Sequence, residues 1–319
     1  MKPQKLLEYL MLNTHRYIPI NELSRELKAT SDAILMGIQR LRQRGYIIEN
    51  YKGKGFRLIM SDDLSQAGIY LRDLMRKYNL SIVYLKKTTS TQDVAKSIMK
   101  EPRMNNVLII AEEQTHGRGR LGRRWVSLAG GIWVTLALRP KLEVDKVPLL
   151  SLMSGVSIVE AIERLTKLKP KLKWPNDILL RGKKVCGVLV EASVEGEEIS
   201  AYIGIGVNVN NTIPLELSSN AISLKEILGH DFPRLLLLNG ILRRIYENLE
   251  ILRTNSEHIL SKWRSYSYTL NKEVIVKLRD HVLRGRAIDI ADDGALIVLT
   301  QRGLVKINVG DVIHLNHLV

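Results

Sequence analysis

"KLKWPNDILLRGKKVCGVLVEASVEGEEISAYIGIGVNVN", residues 171–210, holds three apolar runs in succession with no stretch between them long enough for a crossover helix. Pro175 predicts a turn after Lys173 and Trp174, with a strand restarting at Asn176 and Asp177. Strands that follow one another this closely pair antiparallel, whereas parallel neighbours need a long connection. The residues before this stretch do alternate: strand 81–88, helix 91–100, strands 106–114 and 130–140, and a long helix over about 148–167. The mixture predicts an α/β (α+β) core, a mixed sheet with helices on one side, and excludes a doubly wound parallel sheet. Apolar helices at 235–252 and 256–266 close the segment.

On the N-terminal side, Leu6, Leu7, Leu10 and Met11, then Ile20, Leu23 and Leu27, then Ile34, Ile38 and Leu41 have helical spacing, the last two sets separated by a three-residue turn. "YIIENYKGKGFRLI" (46–59) follows as two strands around a Gly-Lys-Gly turn. That order is a winged helix-turn-helix, a module that places its third helix in the DNA major groove and a basic wing against phosphate. Ser31, Gln39 and Arg40 on the third helix and Lys52 and Lys54 on the wing are the candidate DNA contacts. The helix face is unusual, since it offers Ser31, Asp32, Leu35, Met36 and Gly37 and carries its arginines late. On the C-terminal side, residues 272–319 read as about five short strands with turns at Asp293-Gly294 and Arg302-Gly303, a small SH3-like β-barrel. The predicted division is 1–60 winged helix, 61–80 linker helix, 81–271 catalytic segment and 272–319 barrel.

The 319 residues carry a net charge of +15, which points to anionic partners. Residues 1–60 are the most basic per residue, with 11 Lys and Arg against 5 Asp and Glu, while residues 272–319 are nearly balanced at 7 against 6. One cysteine, Cys186, excludes an internal disulfide framework and, without clustered histidines, a structural zinc site. The N-terminal residues lack a signal-peptide pattern and the apolar runs are too short to cross a bilayer, so the reading is a soluble, cytoplasmic protein with no membrane partner.

Three motifs carry the chemistry. "EEQTHGRGRLGRRW" (112–125) interleaves Gly117, Gly119 and Gly122 with Arg118, Arg120, Arg123 and Arg124. It is neither a Walker A loop nor a dinucleotide fingerprint. Glycines that admit a close backbone approach, beside forked guanidiniums, suit a nucleotide or an acyl-phosphate, and an exposed loop bound for nucleic acid fits them equally. In the second, 171–191, an amide and a carboxylate at Asn176 and Asp177 stand near Lys183 and Lys184. An Asp beside phosphate is useful with a divalent cation between them. The third, "GIGVNVN" (204–210), leads to Asn208 and Asn210 at a strand end. No general base or nucleophile stands out, and Cys186 has apolar neighbours, which points to chemistry in which positioning and charge neutralisation are most of the work, as in phosphoryl or adenylyl transfer.

In this order and spacing, "GRGRLGRRW", "KWPNDILLRGKKVCGVLVE" and "GIGVNVN" resemble the bifunctional biotin protein ligases that also act as biotin operon repressors, over the whole length of the chain. The resemblance implies that biotin and Mg-ATP give biotinyl-5′-AMP, from which biotin passes to a lysine of the biotin carboxyl carrier protein of acetyl-CoA carboxylase. It implies that Ser90, Thr91 and Gln92 meet the biotin head, that Gln114, Gly117, Gly119 and Gly187 line its pocket, and that Arg118 and Arg120 hold carboxylate and phosphate. Lys184 would neutralise the charge developing between the two anions. Arg123, Lys173, Asn176 and Asp177 would face ATP, with Asp177 toward Mg2+, while Trp125 and Asn208 support the nucleotide. Operator DNA and a homodimer formed when adenylate is bound are the further implied partners. Two departures stand out: Gln92 where the family has Asn, and Thr30-Ser31 and Met36-Gly37 in the third helix, which bear on repression and not on ligation. Two other classes stay open, a biotin sensor without ligase activity and a lipoate ligase on the same core.

Overall fold

The computed structural model describes residues 3–14, 16–59, 62–196, 198–278 and 282–314. The first unit is α1 (Pro3–Leu12), α2 (Ile20–Leu27), α3 (Ser31–Gln43) and the hairpin β1 (Ile47–Tyr51) and β2 (Gly55–Ile59). Leu6, Leu10, Leu23, Ile34, Ile38 and Leu41 are buried together, as their spacing requires. Thr30 caps α3 by accepting from the Ala33 amide at 3.3 Å. Gly55 is needed where the wing returns, because a Cβ there would lie 2.1 Å from the Ile18 carbonyl oxygen, and its φ is +99°.

Within this unit Arg16 Nη2 lies 2.5 Å from Glu22 Oε1 and the Tyr9 hydroxyl donates to the same oxygen at 2.9 Å. The Arg16 hydrogen bond holds the Glu22 carboxyl down from 4.5 to about 2, with Tyr9 adding to it. A depressed carboxyl contributes stability above its unfolded pKa and loses it as pH falls through the folded one, here between about pH 4.5 and pH 2. The expected result is that the urea midpoint of this unit falls more between pH 7 and pH 3 in the wild type than in Glu22→Gln. Equal falls would show that the pair does not govern acid stability.

The linker is two helices, α4 (Ala67–Tyr70) and α5 (Arg72–Tyr78), where the sequence predicts one. They break at Leu71, with Tyr70 edge-on to Tyr46 at 5.0 Å before the break and Leu74 buried after it. The central segment follows as β3 (Ser81–Thr88), α6 (Thr91–Ile98), β4 (Asn106–Gln114), β5 (Ile132–Leu138), α7 (Leu149–Thr166), β6 (Lys171–Lys173), β7 (Asp177–Leu180), β8 (Lys183–Glu195), β9 (Glu198–Val207), α8 (Leu224–Leu228), α9 (Arg234–Thr254) and α10 (Ser256–Tyr266). The sheet order is β3-β4-β5-β9-β8-β7-β6. Only β3 and β4 run parallel, because α6 supplies their crossover, and the other pairs are antiparallel.

Side chains alternate across this sheet. Leu108 and Ile110 enter the main core with α7, α9 and α10, while Val107 and Ile109 meet Ala95 and Met99 of α6 in a separate cluster. The expectation of helices on one side therefore holds for the three long helices. It needs correction for α6, which covers apolar side chains on the opposite face. Trp174 is core, 2% exposed, and its Nε1 donates to the Gly294 carbonyl in the C-terminal sheet at 3.0 Å.

The last unit is β10 (Lys272–Lys277), β11 (Val282–Ile290), β12 (Leu296–Thr300), β13 (Gly303–Ile307) and β14 (Asp311–His314), all antiparallel in the order β13-β12-β11-β10-β14. Both predicted turns are present, at Gly294 with φ +82° and Gly303 with φ +107°. The expected small SH3-like unit of about five short strands is thus present as one antiparallel sheet, in which β13 and β14 are the outer strands among the described residues. No helix of the described residues is long and apolar enough to cross a membrane.

Candidate functional site

The sheet's parallel pair ends at Thr88 and Gln114, and the chain that follows each end turns inward. Ser90 stands at the start of α6 without using its hydroxyl as a cap, and Thr91 and Gln92 are buried beside it. Gln114 Oε1 accepts from the Thr91 amide at 2.8 Å and from its hydroxyl at 3.1 Å, while Gln114 Nε2 donates to Ser127 at 2.8 Å. Thr135 donates to the Thr91 hydroxyl at 2.8 Å and is fully buried. A buried network of this kind fixes rotamers, so Thr91 and Gln114 are held by Ser127 and Thr135 before any ligand arrives.

The arginine loop is folded. The Trp125 amide donates to the Gly117 carbonyl at 2.8 Å, Gly119 to Arg123 at 2.7 Å and Arg123 to Arg120 at 3.2 Å. Gly117 is forced by this return, since a Cβ there would lie 2.4 Å from the Trp125 carbonyl oxygen. The turn places Leu121 at φ +56°, 66% exposed.

Folding back lays the Trp125 indole across the cross-strand pair Gly187 and Gly206 of β8 and β9. A Cβ on Gly206 would lie 2.5 Å from the indole Nε1, and one on Gly187 would lie 2.9 Å from the ring. Gly206→Ala is therefore expected to displace the ring at an overpacking cost of about 1–3 kcal/mol. The readout is a shifted tryptophan emission together with weakened ligand binding, and unchanged emission would contradict this placement.

Two cavities share Trp125, Arg124 and Lys184 as a common wall. The first, an open cleft of about 780 Å³, has the polar Ser90, Thr91, Gln92 and Gln114 set, apolar Val134, Val188 and Ile205, and the charged Arg118, Arg120, Arg123, Asp177, Lys184 and Asp311. The second, about 690 Å³, is more apolar, with Ile213, Pro214 and Leu217 facing Asn208 and Asn211. Lys184 Nζ is ion-paired with Asp177 at 2.6 Å and lies 4.8 Å over the Trp125 ring.

Burial depresses the Arg120 guanidinium and the Lys173 ammonium below their ordinary values, with Asp177 opposing the shift in both. Buried cations in this state gain from an added anion. Trp125 Nε1 and Gln92 Oε1, both on cleft-lining residues, are buried without a hydrogen-bond partner. Such orphans call for an explanation, and a ligand is the simplest.

Most of the sequence-derived residues converge here, but not all in the expected way. Gly119 and Gly187 line the first cleft and Asn208 the second. Gly117 stands behind the cleft and shapes the loop. Lys173 pairs across the ladder with Asp177, one step behind the lining residues. Asn176 lines the cleft, but its amide donates to the Val188 carbonyl at 2.7 Å and so fixes β8. The Arg118 guanidinium reaches Asp93 at 2.8 Å and Glu191 at 3.3 Å. Glu191 also binds Gln92 at 2.9 Å and Lys96 at 2.9 Å, a hub for which strand reading gives no signal. Cys186 is fully buried, which pushes its thiol up and leaves it inert.

Far from this cleft, Ser31, Gln39, Arg40, Lys52 and Lys54 are all exposed. Leu35 and Met36 on the same helix are 44% and 53% exposed. Arg42 is held by the Ile48 carbonyl and Arg57 by Glu49, so those cations brace the wing.

The sequence profile of the biotin/lipoate A/B protein ligase family matches residues 84–210, and that of the biotin protein ligase C-terminal domain matches residues 269–315. The bifunctional ligase/repressor BirA of Bacillus subtilis is 32% identical over 96% of this chain and 97% of its own length. The biotin–[acetyl-CoA-carboxylase] ligase of Mycobacterium tuberculosis is 33% identical over 66% of this chain and 80% of its own. The biotin protein ligase from Aquifex aeolicus in complex with biotin and ATP is similar with a TM-score of 0.65 at 34% identity, covering 73% of this chain and 98% of that one.

Proposed function

The chain belongs to the biotin protein ligase family, and from that premise we propose how its cleft works as an ATP-dependent biotin–[biotin carboxyl carrier protein] ligase. The observation that carries the reading is the first cleft itself, in which a hydroxyl-and-amide edge and the Arg120 guanidinium, depressed by burial, face the same space beside Lys184. The edge of Ser90, Thr91, Gln92 and Gln114 suits a ureido head, and Val134, Val188 and Ile205 suit its aliphatic chain. The second cavity, across Trp125, suits a purine, with Asn208 supporting the nucleotide.

In the first step a biotin carboxylate oxygen attacks the α-phosphorus of ATP. The bond from that phosphorus to the bridging oxygen breaks, and pyrophosphate leaves. Two anions must approach, so Arg120 and Lys184 lower the barrier by neutralising charge in a site of low dielectric. Lys173 adds to the field from behind the wall, while Arg123 at the rim is ion-paired with Asp311. In the second step the acceptor lysine amine of the carrier protein attacks the acyl carbon, AMP departs with the oxygen, and the amine loses its proton. Arg118, with Glu191 and Asp93, braces the loop that shields the mixed anhydride from water.

Mg2+ neutralises phosphate charge when it accompanies ATP. Among the described residues no three His, Cys, Asp or Glu converge, so the ion would be held by Asp177 together with the phosphates, the usual manner for this cation.

The winged helix supports a second role, repression of transcription at an operator, with Gln39 and Arg40 toward bases and Lys52 and Lys54 toward phosphate. Exposed Leu35 and Met36 suit thymine methyl groups. A dimer formed on adenylate binding would engage two half-sites at once.

The test for ligation is incubation with labelled biotin, ATP, Mg2+ and a carrier domain. Label on the carrier lysine with pyrophosphate release is expected. Tight ligand binding without transfer would make the protein a sensor, and release supported by lipoate and not biotin would make it a lipoate ligase. For repression, DNA affinity at fixed salt should rise when biotin and ATP are added, and equal affinity would remove the switch.

A further inference from the structure

Asp311 enters the catalytic cleft from outside the catalytic segment. It opens β14 of the C-terminal sheet, where it pairs with Lys277 of β10, and its carboxylate lines the first cleft. There it forms an ion pair with Arg123, while Arg120 Nη1 donates to the neighbouring Gly310 carbonyl at 3.4 Å. Gly310 allows this approach, because a Cβ would lie 2.8 Å from Val276 Cγ1 on β10. The tip of the arginine loop, Arg120 to Arg123, is thus tethered to the C-terminal sheet, while its base is held through Arg118 by Asp93 and Glu191.

An acidic side chain in a cleft built for anions repels substrate unless it is neutralised. Asp311 is matched by a cation of the loop and not by one of the wall, so its charge is used to hold the loop down. We infer that Asp311 is a positioning residue that closes the arginine loop over the acyl-adenylate through Arg123, which makes the C-terminal sheet part of the catalytic site. The consequence is a division of labour within one loop. Arg120 faces the reacting anions, and Arg123, 61% exposed at its side chain, serves as the clasp. The inference rests on the ligase reading for what the loop protects, but the closure itself does not depend on that reading.

The experiment uses the full chain as wild type, Asp311→Asn, Asp311→Glu and the charge swap Arg123→Asp with Asp311→Arg. The first readout is tryptic cleavage after Arg118 and Arg120, sites that every variant keeps, in the ligand-free protein, followed by mass. Cleavage in Asp311→Asn is expected to be about fivefold faster than in wild type, the size of one partly exposed ion pair, with Asp311→Glu and the swap returning toward wild type. The second is escape of acyl-adenylate without carrier, trapped by hydroxylamine, together with KM for ATP and kcat for adenylation measured separately. Escape should rise by the same factor and KM more than kcat.

Wild-type cleavage in Asp311→Asn would overturn the clasp. So would faster cleavage that neither Asp311→Glu nor the swap corrects, since the residue would then merely support the sheet. Absence of adenylate even in the wild type would defeat the ligase reading, while the proteolysis arm still decides the clasp.

Discussion

Lys184→Ala should cut the rate of biotin-dependent pyrophosphate release by about 10²- to 10³-fold, the usual effect of removing one charge-stabilising donor from a preorganised site. The reason is double. The ammonium 2.6 Å from Asp177 and 4.8 Å over Trp125 stands at the wall common to both cavities, where carboxylate and α-phosphate would meet. Its removal also leaves the Asp177 carboxylate uncompensated toward two anionic substrates. Lys184→Arg, which restores a cation beside Asp177, should therefore recover part of the loss. Far-ultraviolet circular dichroism and the thermal midpoint serve as the folding control. Wild-type adenylation in Lys184→Ala would remove the role, and a loss as large in Lys184→Arg would remove the electrostatic account of it.

The largest expected effect on stability lies elsewhere, at Arg234 on the first turn of α9. Its side chain is only 4% exposed, pairs with Asp62 and Glu112 at 2.7 Å each, and donates to the Gly131 carbonyl at 2.9 Å. Asp62 also accepts from Asn210, which in turn binds the Phe232 backbone through both its donor and its acceptor. One guanidinium thus fastens the linker to β4 and to the turn after β9. Arg234→Met keeps volume but strands two carboxylates, of which Glu112 is the more buried, with its side chain 19% exposed. Breaking such a pair costs about 3–5 kcal/mol, and the 38% exposure of Asp62 places this case at the lower end. In a segment of this size that is roughly 6–12 °C in thermal midpoint. Adding Glu112→Gln should return part of it, because the stranded charge and not the lost contact is the main penalty. A midpoint within 2 °C of wild type, by roughly the same scaling, would show that water reaches the carboxylates.

The local order of elements was legible because each rule that reveals it acts over a few residues. Leu23, Ile34, Ile38 and Leu41 repeat at helical spacing, and the runs after Lys171 are too close for crossovers, so the N-terminal helices and the mixed sheet follow from the chain alone. Predicted turns at Gly294 and Gly303 stand where glycine allows positive φ. The break at Leu71 and the position of α6 were not legible. Both depend on which face of a neighbour is available, and the spacing of Ala95 and Met99 is the same for either face.

The candidate site divides in the same way. Charge and small size marked Arg118, Arg120, Lys184 and the glycines as residues meant for an anion, since such a run of cations is stable only near negative charge. Their distinct positions came from distance. Gly187 and Gly206 read as strand residues until the Trp125 indole, far away in sequence, is laid across them. Glu191 reads as the end of a strand until Gln92, Lys96 and Arg118 arrive around it. Asp311 and Arg234 carry no motif at all, and their meaning is their partner. What the sequence by itself determined was the order of most elements and that the ligand is an anion, because backbone preference and net charge are properties of short segments. What only the tertiary structure decided was which cation faces the ligand and which one holds the loop, because an ion pair forms over a few ångströms of space whatever the separation along the chain.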